Sequence, residues 1–375
     1  FFFRRTMTLL HTLRHKSPVS ALALTQDGKE VITGTRDNVV YQWDLKTAKV
    51  LHTHREHIPP HQITAVACSH DNQQFASGGR DSFVVIYNRA GKKIGMLKKG
   101  HRTYVTSVAF DKSNNHIFSA GADGKILIWR KKKHKIHRCI ESAHGGPVTC
   151  MASSVKYIVS GGDDAIVNVW IPKGKKVVDY STRQAGSLYK EFRGHQAEIT
   201  GVAITKDQKY IISSSLDRTV RIFLIINLSL VRKLQHDDAV TSMALSRDEK
   251  WVATGTSTGK AYVWNRDTGA QIACFDAHEG KVSKVAMTPK GWVVSAGGDG
   301  MVKVWQAELK PKPADPQPGE EQGEEQVQTV TINAEGKLVA TPKPAAVYDP
   351  GAWPVAPRPK KKKKKEGEGE QGEGE

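Results

Sequence analysis

Histidine, a hydroxyl residue and an aspartate recur along this chain at fixed distances, which is the residue set of nucleophilic hydrolysis. Asp37, Asp81, Asp123, Asp164, Asp217 and Asp299 each stand four residues after a hydroxyl, namely Thr33, Ser77, Ser119, Ser160, Ser213 and Ser295. A seventh copy has Thr254 but Thr258 in place of the acid. Some 20 to 22 residues upstream stand His15, His101, His144, His195, His236 and His278, and the second copy leaves His57 and His61 as alternatives. A hydrolytic triad needs one such constellation beside an oxyanion hole. Seven copies and the lack of a GxSxG elbow argue against it. The sequence also holds no metal triad, phosphate loop or unique acid–base pair. A non-enzymatic protein without cofactor, metal or small-molecule substrate is expected.

The elements that position these residues repeat as well, and a period near forty residues marks a repeat architecture. A six-residue run, "VSALAL" (19–24), returns as "ITAVAC", "VTSVAF", "VTCMAS", "ITGVAI", "VTSMAL" and "VSKVAM". Each opens with a β-branched apolar residue followed by Ser or Thr, and alternates as a half-buried strand does. A second strand carries the hydroxyl, and a third ends six residues after the acid position in Trp43, Tyr87, Trp129, Trp170, Phe223, Trp264 or Trp305. Those aromatics are 44, 42, 41, 53, 41 and 41 residues apart, so only the fourth copy is enlarged.

Residues 8–307 thereby resemble the WD40 family, although the dipeptide "WD" survives once, at Trp43-Asp44. "RDN" at 36–38 and "VKVWQ" at 302–306 are similar to the receptor for activated C kinase type of propeller, from which the long tail and the enlarged fourth copy depart. The resemblance implies an all-β, seven-bladed propeller over residues 7–309, with four strands per blade. It also implies that His, Ser/Thr, Asp and Trp form a structural hydrogen-bond network. Tyr87, Phe223 and Thr258 depart from the pattern, so blades two, five and six are expected to be the weakest internally. The seventh blade lacks an outer strand of its own. "MTLLHTL" (7–13) alternates suitably to supply it, closing the ring and hiding both edges.

The chain has 375 residues and a net charge of +18. The tail from residue 311 holds 10 Lys and Arg against 12 Asp and Glu, which leaves +20 on residues 1–310. Such a field suggests an acidic partner. Turns between third and fourth strands carry much of it: Arg89, Lys92 and Lys93 in blade two, Arg130, Lys131, Lys132, Lys133, Lys135 and Arg138 in blade three, and Lys173, Lys175 and Lys176 in blade four. Adjacent blades would merge them into one patch for phosphates or an acidic protein surface. No aromatic interrupts the blade-three run, so stacking on single-stranded bases is not supported. The matching turn of blade five is apolar instead (Leu224, Ile225, Ile226, Leu228 and Leu230), and is either a partner site or packed beneath the blade-four turn.

Residues 1–6 precede Met7 and read as a translated leader, with a mitochondrial presequence as the rival. Four scattered cysteines fit a reducing compartment, and no apolar run reaches membrane-spanning length. Residues 310–375 read as a mostly disordered tail with a short hairpin in 327–341 and a Lys-rich, then Glu/Gly-rich end. Three functions follow: a cytoplasmic scaffold or adaptor in a larger protein assembly, a ribosome- or RNA-associated propeller, or a cytoskeletal or flagellar one facing acidic tubulin. Nuclear and flagellar placements are the alternatives to the cytoplasm.

Overall fold

The computed structural model describes residues 6–171, 187–307, 330–332 and 338–340. The 1–5 segment, the blade-four turn with Lys173, Lys175 and Lys176, and most of the tail lie outside these residues. Every element among the described residues is a strand. Seven four-stranded antiparallel sheets follow one another along the chain, the first formed by Val19–Leu24, Glu30–Thr35, Val40–Asp44 and Lys49–His54. The seventh consists of Val282–Met287, Val293–Gly297 and Met301–Ala307, with Met7–Arg14 paired to the last of these. The N-terminal strand therefore closes the propeller. Leu13 is buried with Val19, Val31 and Trp43 of blade one and Val294, Val302 and Val304 of blade seven.

The Ser/Thr at the second place of each innermost strand has a role that alternation alone does not reveal. The pairing between first and second strands slips at that residue in every blade, which makes it a β-bulge. In blade one the Ser20 hydroxyl lies 3.1 Å from the Gly34 carbonyl and 2.5 Å from the Ile63 carbonyl of the next blade. Thr64, Thr149, Thr200 and Thr241 reach the next blade in the same way, to Val105, Ile199, Val240 and Val282. The bulge satisfies a carbonyl across the blade boundary that the strand ladders leave free. Blades pack on one another through buried aliphatic residues, such as Val105, Leu127 and Trp129 of blade three against Ile86 and Leu97 of blade two.

Residues 312–375 form a separate unit, within which Val330–Ile332 pairs antiparallel with Leu338–Ala340.

Candidate interaction site

The hydroxyl, His and Asp residues meet one blade at a time. In blade three the Trp129 indole N–H donates to Ser119 Oγ at 2.8 Å, Ser119 contacts His101 Nε2 at 2.8 Å, and His101 Nδ1 lies 3.0 Å from Asp123. Asp123 also accepts from the backbone N–H groups of Arg102 and Lys125. Burial pushes its carboxyl up, but the bonds from His101 and those amides outweigh this and hold it below the usual range. Blade four repeats the chain through Trp170, Ser160, His144 and Asp164, and blade seven through Trp305, Ser295, His278 and Asp299.

Blade two uses His57, not His61, against Ser77 and Asp81. Its Tyr87 hydroxyl donates to Glu56 at 3.0 Å. Blade five links His195 to Ser213 and Asp217, while Phe223 packs on Phe192 with ring centroids 5.1 Å apart.

Blade one differs from the expectation. His15 meets Thr33 at 2.8 Å and accepts from Trp43 at 3.2 Å, but Asp37 is exposed and makes no hydrogen bond among the described residues. The residue two places before the acid explains this. A Cβ at Gly121 would lie 2.4 Å from His101 Nδ1 and 2.6 Å from Asp123 Oδ1, and Gly79, Gly162 and Gly297 are equally confined. Blade one has Thr35 there and blade six has Thr256. A β-branched residue fills the space that His and Asp need. Blade five tolerates Ser215, with one carboxylate oxygen of Asp217 on His195 and the other on Thr219. His15 and His236 instead lie edge-on to Tyr41 and Tyr262, and their Nδ1 atoms make no hydrogen bond among the described residues. Burial pushes both imidazoles down to about 4. The signal was present in the sequence as Thr against Gly.

The displayed residues lie on the turns. Two corrections apply to the basic set. The Arg89 guanidinium is held by Glu30 at 2.7 Å and Asp27 at 3.1 Å, so it joins blade two to blade one and is no free cation. Lys131 is half-buried with its ammonium 5.9 Å from the Phe110 ring centre, and Arg138 is also half-buried. Lys92, Lys93, Arg130, Lys132, Lys133 and Lys135 are exposed. The turns are neighbours, because His134 packs against Gly95 on the outer strand of blade two. In the apolar turn, Ile225 is buried in the blade-five core and Leu224 is half-buried. Ile226 is 77% exposed, and Leu228 and Leu230 are exposed too.

The sequence profile described as "WD domain, G-beta repeat" matches seven segments: 7–44, 48–88, 91–130, 136–170, 186–223, 228–265 and 269–306. The chain belongs to the WD-repeat family. Among WD-repeat relatives, the guanine nucleotide-binding protein subunit beta-1 of Nicotiana tabacum is 23% identical, over 78% of this chain and 81% of its own. Human striatin-3 is 25% identical over 81% of this chain and 42% of its own length. The periodic tryptophan protein 2 homolog of Dictyostelium discoideum is 24% identical over 75% and 32%. WD-repeat propellers such as these relatives are protein-interaction scaffolds, and in this chain the His, hydroxyl and Asp residues meet within blades two, three, four, five and seven.

Proposed function

We propose that this WD-repeat protein is a non-enzymatic cytoplasmic adaptor that joins other proteins into a larger assembly through the basic turns of blades two and three. The observation that carries the reading is the exposed set Lys92, Lys93, Arg130, Lys132, Lys133 and Lys135 on adjacent turns. No carboxylate lies within either turn (residues 89–92 and 131–134) to neutralise it. Like charges gathered this way repel one another, and an acidic partner relieves that repulsion. The same charges favour a second reading, a grip on RNA phosphates.

Charge reversal at Lys132, Lys133 and Lys135 tests the proposal, with tagged wild-type and variant chains captured with and without ribonuclease. Loss of ribonuclease-resistant partners from the variant supports the adaptor. Loss confined to ribonuclease-sensitive particles supports the RNA reading. Unchanged partners in both conditions overturn the role of these turns.

A further inference from the structure

The opposite end of the same blades carries a second charged surface. Turns between second and third strands lie there against the links that join blades. The backbone shows this contact: Arg36 N bonds Pro18 O, Arg80 N bonds Gln62 O, and Ala122 N bonds Tyr104 O. The Asn38 side chain reaches the His57 carbonyl and so ties the blade-one turn to the next link. This contiguous stretch exposes Arg36, Arg55, Arg80, Lys98, Lys99 and Arg102. None lies within ion-pair distance of a carboxylate among the described residues.

The blade network creates the imbalance. Four acids belong to these segments. Asp81 and Asp123 are turned inward onto His57 and His101, and Glu56 is half-buried and takes the Tyr87 hydroxyl. Only Asp37 faces solvent with no hydrogen bond among the described residues. Asp81 and Asp123 are thereby held as structural acceptors, and Glu141 of the next link, which also lies near Arg102, is taken by Lys125 at 2.5 Å. Across the ring, the equivalent segments expose Asp163, Asp237 and Glu279 beside Arg218, Lys260 and Lys281, so the charge there is mixed.

Apolar surface lies amid these cations. Ile58 is 50% exposed and Tyr104 37%. The aromatic faces are already covered: Arg80 lies 5.2 Å from the Tyr104 ring centre and Lys98 lies 5.5 Å from that of Phe83. They are not open platforms for bases, and a phosphate backbone gains nothing from Ile58. We infer that this sector docks an acidic protein segment carrying an apolar side chain, whose carboxylates meet Arg80, Lys98, Lys99 and Arg102 and whose apolar group covers Ile58. The inference rests on the adaptor reading and adds a second contact surface to it.

The test uses the full chain and three fluorescent probes: a twelve-residue glutamate-rich peptide with a central leucine, the same peptide with serine there, and a twelve-nucleotide single-stranded RNA. Partial burial of a leucine against Ile58 should make the leucine peptide bind about tenfold tighter than the serine one. Ile58→Asp should erase that difference. Arg80→Glu with Arg102→Glu should weaken the leucine peptide at least about tenfold, while charge reversal at Lys132, Lys133 and Lys135 should leave it unchanged. RNA binding as tight as the leucine peptide overturns the inference, as does peptide binding indifferent to Arg80 and Arg102. Sensitivity to Lys132, Lys133 and Lys135 alone overturns this sector while leaving the adaptor reading intact.

Discussion

Asp37 and Asp123 occupy the same place in their repeats, six residues before a tryptophan, yet removing Asp123 should cost stability and removing Asp37 should not. Asp123 is a nearly buried acceptor for three donors: His101 Nδ1 at 3.0 Å, and the Arg102 and Lys125 amides at 3.0 and 3.2 Å. Asp123→Ala strands a buried imidazole N–H, worth about 2 kcal/mol, while the two amides near the surface recover part of their loss from water at about 0.5 kcal/mol each. The sum is about 3 kcal/mol. A cooperative unit of roughly 300 residues unfolds with an entropy of about 0.6 kcal/mol/K, so the midpoint should fall by about 5 °C. Asp37 is exposed and bonds nothing among the described residues, so Asp37→Ala should stay within about 0.5 kcal/mol of the parent. Urea unfolding followed by tryptophan fluorescence, with calorimetry for the midpoint, measures both. Equal losses for the two variants would refute the claim that Thr35 excludes Asp37 from the network.

Three further outcomes follow from the same geometry. Thr35→Gly should admit Asp37 to His15 and raise that imidazole from about 4 toward the ordinary histidine range, read by NMR titration of the ring nitrogens. His15 and His236 are both pushed down to about 4 by burial, so the folded chain binds fewer protons there than the unfolded one. Their contribution is present above about pH 6.5 and is lost as pH falls toward 4, amounting to about 3 kcal/mol each, and chemical unfolding across that window should show stability declining with acid. Lys284 is the one charged residue at the third place of the innermost strands, a place held by Ala21, Ala65, Ser107, Cys150, Gly201 and Ser242 in the other blades, all of which line a channel of about 200 Å³. Burial pulls its amine down against the opposing pull of Cys150 and Glu198, so the folded state resists the proton that the unfolded state accepts. Lys284→Met should therefore stabilise the fold at pH 7 in urea unfolding, with the gain fading at more alkaline pH.

The repeat was legible because each blade must restate its own local rules. The "VTSVAF" run, the hydroxyl strand and the Trp that ends the third strand set strand number, order and the need for Met7–Arg14 to complete blade seven. The His–Ser–Asp–Trp spacing likewise marked the residues that meet in blades three, four and seven. What the spacing missed was steric: a Thr Cβ at position 35 or 256 excludes the contact, and no periodicity encodes that. Arg89 looked like a displayed cation because its partners Asp27 and Glu30 lie some sixty residues away in another blade. Ile225 looked exposed because a run of apolar letters does not reveal which one turns inward. The basic sector at Arg80 and Arg102 stayed hidden for a related reason. In sequence Arg80 stands beside Asp81 and Arg102 is 21 residues from Asp123, and only the fold shows those carboxylates facing His57 and His101.

Buried networks carry the fold, and under the proposed function the exposed cations of blades two and three hold the partners. Quantitative capture with the Lys132→Glu, Lys133→Glu, Lys135→Glu chain, set beside its urea midpoint, tests both halves at once. The prediction is an unchanged midpoint with loss of the proteins that ribonuclease-treated wild-type chain retains. Full retention of those proteins at an unchanged midpoint would contradict it.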